Sequence, residues 1–460
     1  MADQEFEIVI IGGGPGGYTA AIRAAQLGFS VGLVERAELG GVCLNWGCIP
    51  TKSLLHAADL YREIGAAAEF GIEVSSPKIN LAKMIERSRQ VASQLSKGVQ
   101  HLMRKNAITV IKGEARFVDK NRVCVEREDT NDAYVVADNF IIATGASAKN
   151  LPHIQVDHER IWDARSAMTP SFIPQRLLII GAGAIGVEFA SFYATLGANV
   201  TLVEMLPQIL PAEDAEIAAL ARQAFKQQGI EVLTETAIDA LRMGKENLVA
   251  TINGAEKEFN AAILSVGVAG NISSLMLDDI GVETDNGFIV VDPFLQTNIR
   301  GIYAIGDVAG VPCLAHKASH EAVIAVEAIA GKRPDELNRL HVPGCTYSHP
   351  QVASIGLTEE AASALGSIRV GRFPLIANGK AIAINDADGM VKTIFDHSTG
   401  ELLGAHLIGS GVTEMIQGFA IAMGLETTEA ELIETIFPHP TLSEAIHESV
   451  LDAFDRAINF

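Results

Sequence analysis

One arrangement in this chain occurs twice, and it limits the fold more than any other feature. An apolar run at residues 7–11 enters Gly12-Gly13-Gly14-Pro15-Gly16-Gly17. An Ala-rich helical stretch follows to about Gly28, and the apolar run 31–34 ends at Glu35. Residues 176–180 enter Gly181-Ala182-Gly183-Ala184-Ile185-Gly186 in the same way. A helical stretch reaches Gly197, and the run 200–203 ends at Glu204. Gly181 follows Gly12, and Glu204 follows Glu35, by the same 169 residues. Gly12, Gly14, Gly17, Leu27, Gly28, Val31, Leu33, Val34 and Glu35 all recur at that offset. Strand, glycine turn, helix, strand and acid, in that order, form a dinucleotide fingerprint. The glycines let backbone approach a pyrophosphate, the helix N-terminus faces its charge, and the acid can accept from a ribose hydroxyl. Two such units predict two dinucleotide sites on two Rossmann-like α/β domains.

Between the units lies a second constraint. Cys43 and Cys48 bracket Leu44-Asn45-Trp46-Gly47 in a Gly-rich stretch and lead into Ile49-Pro50-Thr51-Lys52. Pro50 suits a first helical turn, where its missing N–H goes unnoticed. Cys48 is therefore predicted near a helix N-terminus, whose partial positive charge favours a thiolate. Lys52, one turn on, adds a full charge on the same face. A dithiol so placed can cycle between a disulfide and a thiol–thiolate pair. Cys124, Cys313 and Cys345 are isolated and read as structural. Five cysteines make no secreted disulfide framework, so a reducing cytoplasm is expected, with a disulfide that is catalytic rather than a staple. The formal net charge of −21 argues against nucleic acid, whose binding needs clustered cations. No apolar run approaches the ~20 residues of a membrane helix. The first strand begins too early for a signal or transit peptide. No metal site is expected.

At 460 residues the chain exceeds a single core and suggests about three domains. Residues 50–70 and 79–104 read as helices, and 107–112 and 134–142 as strands. The second strand ends in the tight turn Ala143-Thr144-Gly145-Ala146. After a connector at 152–174, the second fingerprint unit ends at a strand near 262–266, with Gly267 at its tip. A short strand at 290–291 precedes an apolar strand that ends in Gly306-Asp307, and a helix runs from about 315 to 330. An Asp at a strand end can reach a ligand hydroxyl at the carboxyl edge of a sheet, though Gly-Asp is also ordinary turn chemistry. Residues 341–460 mix strand-like runs at 345–347, 352–356, 389–395 and 402–408 with helices near 358–365, 411–424 and 428–435. That is an α+β pattern without a dinucleotide motif. It ends in Phe437-Pro438-His439-Pro440-Thr441-Leu442-Ser443-Glu444 and an amphipathic helix. His439 and Glu444 could form a His–carboxylate pair, although the residues alone fit a surface turn histidine as well.

Nicotinamide carries hydride, whereas a disulfide is reduced by thiolate attack. A flavin exchanges electrons with both, so the first site is expected to hold FAD beside the disulfide and the second a nicotinamide nucleotide. Glu204 selects NAD, because a carboxylate accepts from a 2′-hydroxyl and repels a 2′-phosphate. Met205 brings no neighbouring arginine.

Over essentially its whole length the chain resembles the flavin-dependent pyridine nucleotide–disulfide oxidoreductases, in the branch that oxidises protein-bound dihydrolipoamide for 2-oxo acid dehydrogenase complexes. The resemblance rests on GGGPGG at 12–17, GGVCLNWGCIPTK at 40–52, GAGAIG at 181–186, IGD at 305–307 and HPTLSE at 439–444. It implies that Cys43 exchanges with substrate and Cys48 contacts the flavin. Lys52 would lie near the flavin and pair with Glu188. His439, oriented by Glu444, would be the acid–base, acting on the disulfide of the other subunit of a homodimer. FAD would be held by Gly12, Gly14, Gly17, Glu35, Lys52, Ala115, Thr144, Gly145, Asp307 and Ala315. NAD would be held by Gly181, Gly183, Gly186, Glu204, Ala237 and Gly267. The implied domains are an FAD-binding domain (1–147 with 270–340), an NAD-binding domain (148–269) and a C-terminal α+β dimerisation domain (341–460). Implied partners are lipoyl domains and the core or peripheral subunits of 2-oxo acid dehydrogenase complexes. Phe437 stands where many relatives have a second histidine, and Val268 replaces an arginine common at the nucleotide site's edge. An NADPH-dependent reductase of glutathione-like disulfides is disfavoured by Glu204. A mercuric-ion reductase would need a C-terminal cysteine pair, whereas the last cysteine is Cys345. A non-catalytic flavoprotein would leave Cys43, Cys48, Lys52 and His439 without a reason to occur together.

Overall fold

Each glycine turn follows the central strand of a parallel sheet. The structure is a computed structural model that describes residues 4–127 and 131–460. Two compact units divide the chain: Met1–Leu54, Ala82–Lys149 and Gly267–Leu337 form the first, and Leu55–Leu81, Asn150–Val266 and Asn338–Phe460 the second.

In the first unit, the strands Thr109–Lys112, Val31–Glu35, Gln4–Ile11 and Ala133–Ile142 lie side by side in parallel. Antiparallel Arg122–Glu126 and Glu114–Asp119 extend the sheet. Ile302–Ala304 joins the far end of Ala133–Ile142 in parallel. Register aligns the strand ends. Ile11 pairs with both Val34 and Ile142, and Ile142 with Ala304. Four strands therefore stop at one edge, and Gly12, Glu35, Ala143 and Ile305 stand next to one another along it. On one face, Ala20, Ala21 and Ala24 of the helix Pro15–Gln26 pack in a core with Ala322 and Ala325 of the helix Ala315–Ile329. These small side chains let the helices approach closely. On the other face Phe117 and Phe140 meet edge-on at 5.3 Å.

The second unit repeats the parallel arrangement with Glu231–Leu233, Asn199–Val203, Arg176–Ile180, Ala261–Leu264 and Ile161–Trp162. Ile180 pairs with Val203 just as Ile11 pairs with Val34. Its other large sheet is antiparallel, in the order Gly344–Thr346, Gln351–Gly356, Leu402–Gly409, Met390–Asp396, Ile368–Pro374. Several elements differ from expectation. Residues 290–291 come after the short strand Phe288–Ile289 rather than form one. Ile368–Pro374 is an edge strand that its sequence conceals, because Arg369, Gly371 and Arg372 break the apolar alternation. A Cβ on Gly371 would lie 1.8 Å from the Ser449 carbonyl, so glycine is what allows the helix Glu444–Ala453 to seat on this strand.

Lys392, on the strand Met390–Asp396, ties the antiparallel sheet to the start of the helix Ala215–Gln227. Its buried ammonium lies 2.7 Å from Asp214, 2.7 Å from Glu359 and 3.0 Å from Glu216. Asp214 is the N-cap of the helix Ala215–Gln227. Burial raises the Asp214 carboxyl, but Lys392 and the Glu359 amide more than offset this and leave it below its ordinary value. A lowered folded pKa stabilises above the unfolded value of ~4 and is lost as pH falls through the folded one. Lys392→Met leaves a buried carboxylate unpaired, which costs ~3–5 kcal/mol. The thermal unfolding midpoint at pH 7 should fall by several degrees, and the deficit should shrink on acidification. An unchanged midpoint would contradict this role.

Candidate active site

Backbone contact fastens the dithiol segment to the first glycine turn. Gly40 donates its N–H to the Gly13 carbonyl at 2.8 Å. Gly40 and Gly41 hold left-handed φ values of 98° and 58°, and a Cβ on Gly41 would lie 2.7 Å from Gly14 Cα. From this anchor the short helix Gly41–Trp46 carries Cys43, and Cys48 opens the helix Cys48–Ala66. Cys43 thus sits on a helix rather than in the open turn that the glycines suggest. Buried Asn45 donates to the carbonyls of Leu39 and Gly41 at 3.1 and 3.0 Å. The Thr51 hydroxyl donates to the Gly47 carbonyl at 2.7 Å. The Arg89 guanidinium lies 3.8 Å over the Trp46 ring.

Cys43 and Cys48 are not joined in a disulfide, and their sulfurs lie 2.8 Å apart with Cys43 as donor. That hydrogen bond, then burial, pushes the Cys43 thiol far above its ordinary range, against the pull of Lys52. Cys48 opens the helix Cys48–Ala66, where the partial positive charge of the N-terminus favours a thiolate. Tyr18 is a neighbour that the sequence did not mark. Burial raises its hydroxyl first, and the charges of Cys43 and Cys48 raise it further.

The two glycine turns obey one rule. A Cβ on Gly12 would strike the Ala143 carbonyl oxygen at 2.3 Å, and on Gly181 that of Ser265 at 2.4 Å. A Cβ on Gly17 would lie 1.8 Å from the Gly12 oxygen, and on Gly186 2.0 Å from the Gly181 oxygen. The middle glycines differ: at Gly183 a Cβ would meet nothing within 4 Å, and at Gly14 only Gly41 Cα at 3.9 Å. Packing demands the outer glycines, while the middle one faces space that a pyrophosphate fits. Neither helix has a side-chain cap at Gly14 or Gly183, which leaves first-turn N–H groups for an anion. Glu35 accepts from the N–H groups of Gly13 and Ala37, both at 2.7 Å. Glu204 repeats this with Ala182 at 2.8 Å and Leu206 at 3.0 Å. A cleft of about 410 Å³ opens beside Glu35, walled by Leu39, Met103, Ile108 and Val110 and edged by Arg104 and Lys112. It suits an adenosine.

Other expected residues gather on the same edge of the first sheet. Thr144 donates its hydroxyl to the Asn271 carbonyl at 2.8 Å, and Asn271 returns its side-chain amide to the Thr144 carbonyl at 2.9 Å. Gly145 accepts from the Asn271 N–H at 2.9 Å. Asn271, which fixes this turn, carries no motif and escaped sequence reasoning. Gly113 donates to the Glu35 carbonyl at 3.0 Å, which brings the strand that bears buried Ala115 to this edge. Asp307 lies in the 3₁₀ turn Gly306–Ala309, where burial pushes its carboxyl up and Lys317 opposes. Ala315 opens its helix.

In the second unit the Thr236 N–H bonds the Glu204 carbonyl at 2.9 Å, so exposed Ala237 stands beside that acid. Gly267 (φ 99°) falls within the first unit, where its carbonyl takes the Lys149 N–H at 2.9 Å. Buried Glu188 accepts the Tyr347 N–H at 2.9 Å. His439 is no plain surface histidine. Its Nδ1 lies 2.9 Å from Glu444 Oε1, while Oε2 accepts the Thr441 N–H at 2.9 Å. Burial raises the Glu444 carboxyl, but the Thr441 amide and His439 hold it below its ordinary value. The His439 side chain is 77% exposed and keeps Nε2 for a partner. Among the described residues no His, Cys, Asp or Glu cluster could hold a metal ion, and no helix is long and apolar enough to cross a membrane.

Two dinucleotide turns, one with a cysteine pair pinned to it, define a dinucleotide-dependent dithiol oxidoreductase. Comparison with known proteins agrees. Residues 6–322 match the pyridine nucleotide-disulphide oxidoreductase family, and residues 342–450 match its dimerisation domain. The chain belongs to that family. It is 53% identical to a dihydrolipoyl dehydrogenase of Zymomonas mobilis, covering 100% of both chains. It is 48% identical to one of Rhizobium etli, covering 99% of both chains. Among solved structures, LpdA from Mycobacterium tuberculosis superimposes with a TM-score of 0.91 at 28% identity, over 97% of this chain and 99% of that one.

The glycine geometry generates a test. Gly17→Ala and Gly186→Ala should each abolish binding at its own turn and spare the other, as counted by dinucleotides bound per folded chain. Loss of both sites from one substitution would contradict two separate cradles.

Proposed function

We propose that the protein is a dihydrolipoyl dehydrogenase, oxidising protein-bound dihydrolipoamide to lipoamide and reducing NAD⁺ to NADH for 2-oxo acid dehydrogenase complexes. Its cofactors are FAD and NAD. The observation that carries the reading is the Cys43–Cys48 pair fastened by Gly40 and Gly41 to the first glycine turn. Full-length relatives named for this activity support it. In this reading Gly12, Gly14, Gly17, Glu35, Ala115, Thr144, Gly145, Asp307 and Ala315 hold FAD, with Lys52 beside it. Gly181, Gly183, Gly186, Glu204, Ala237 and Gly267 serve NAD. The FAD domain spans 1–147 with 270–340, the NAD domain 148–269, and the dimer forms through 341–460. Cytoplasmic residence suits the redox use of the cysteine pair.

Bound FAD supplies the exchange between thiol chemistry and hydride. The chain's own residues do the rest. His439, held by Glu444, takes a proton from a substrate thiol. The resulting thiolate attacks Cys43 Sγ, the Cys43–Cys48 bond breaks, and Cys48 leaves as a thiolate at the helix start near Lys52. The second substrate thiol, once deprotonated, attacks the mixed disulfide, releases lipoamide and leaves Cys43 to recover a proton. The reduced pair then stands within hydrogen-bond reach, Sγ to Sγ. Each dimer site joins the dithiol of one subunit to His439 of its partner.

The direct assay is NADH formation from dihydrolipoamide. The unmodified protein should turn over, and Cys43→Ser or Cys48→Ser should lose activity to below about a hundredth while FAD stays bound. His439→Gln should still be reduced by NADH, yet react with dihydrolipoamide ~10²–10⁴ times more slowly. Turnover in either cysteine variant would remove the disulfide from the mechanism. Glu204 should set NAD over NADP by well over tenfold in kcat/KM, and Glu204→Ala should narrow the gap. Equal use of both nucleotides by the unmodified protein would refute its role.

A further inference from the structure

A buried ion pair beside the Asp307 turn takes no part in the chemistry above. Lys317 and Glu321 lie one turn apart on the helix Ala315–Ile329, with side chains 0% and 1% exposed and Nζ 3.0 Å from Oε1. The ammonium also donates to the carbonyls of Gly306 at 3.2 Å and Gly310 at 3.0 Å. The second carboxylate oxygen, Oε2, accepts the Gly306 N–H at 2.7 Å. One ion pair therefore holds both main-chain polar groups of Gly306, the residue before Asp307. Gly306 needs a left-handed φ of 73°, and a Cβ there would lie 3.1 Å from Ala318 Cβ. A buried ion pair is a poor source of stability, since apolar side chains of similar size often do as well or better. What ammonium and carboxylate give here, and apolar groups cannot, is a fixed orientation of two peptide planes.

We propose that Lys317 and Glu321 are positioning residues that set the Gly306–Ala309 turn so that the Asp307 carboxylate meets the ribityl hydroxyls of FAD. This rests on Asp307 being an FAD residue, as in the proposed function. The two charges act through the main chain of Gly306, and neither needs to touch the cofactor.

The test measures the FAD dissociation constant of the full-length protein by flavin fluorescence, together with the unfolding midpoint. Lys317→Met with Glu321→Leu removes both charges, so no unpaired ion is left behind. That variant takes these partners from the Gly306 N–H and from the Gly306 and Gly310 carbonyls, so its midpoint should fall by several degrees, and the folded protein should bind FAD at least tenfold more weakly. Asp307→Asn should also weaken FAD. Combining all three substitutions should weaken it no more than the larger single effect, because the pair works through Asp307. If the charge-free variant binds FAD within twofold of the unmodified protein while Asp307→Asn does not, the positioning role is overturned and the Asp307 assignment stands. Multiplying effects also overturn the role. If Asp307→Asn leaves FAD affinity unchanged, both fall. Should the charge-free variant not fold, Glu321→Asp serves in its place. It keeps the charge but shortens the reach to Gly306, and should show the same tenfold, non-multiplying loss. A change of less than twofold there overturns the role.

Discussion

Contact between two glycine pairs governs the arrangement of this protein. Gly40 donates its N–H to the Gly13 carbonyl, and Gly41 lies so close to Gly14 that a Cβ on Gly41 would not fit. Because Gly14 caps the helix that faces the first dinucleotide, the same contact fixes where the Cys43 helix begins. The thiols are thus referenced to the glycine turn through backbone alone, which is stiffer than any side-chain tether. The strand register then brings Glu35, Thr144 and Asp307 to that edge.

The two fingerprint units show how one architecture takes two uses. Both order three parallel strands in the same way, and in both the acid accepts one amide of the glycine turn and one from two residues beyond itself. They diverge after the acid. In the second unit Glu204 is followed by a single long helix, Ala215–Gln227, before the next strand. In the first, the chain between Glu35 and Thr109–Lys112 carries the dithiol and two long helices. The dithiol thus lies in a connection between two strands of the sheet, where added chain leaves the strand pairing undisturbed.

Much of the fold and of the site is legible in the sequence because the signals are local. The glycine turns with their acids and the cysteine spacing with Pro50 and Lys52 declare themselves locally, whereas the His439–Glu444 pair is legible only through the family resemblance, since its residues alone read as a surface turn. The hairpin Glu114–Asp119 with Arg122–Glu126 does not, because its strands are short and charged at both ends, which leaves little apolar rhythm to read. Ile368–Pro374 is hidden by residues that serve neighbours far along the chain: Gly371 for the helix at Ser449, and Arg372 for Glu216 and Glu359. Asn271, Tyr18 and the Lys317–Glu321 pair matter only through partners that folding brings near. No motif marks Asn271 or Tyr18, and the i,i+4 spacing of Lys317 and Glu321 gives no sign of Gly306.

If the thiol pair and a flavin form one electron store, anaerobic titration of the purified protein with dithionite should show uptake of two electrons for the thiol pair in addition to two for the flavin. A long-wavelength thiolate-to-flavin band should appear after the first two, and Cys48→Ser should lose both the band and the extra uptake. Uptake of only the flavin's two electrons by the unmodified protein, with no such band, would contradict it.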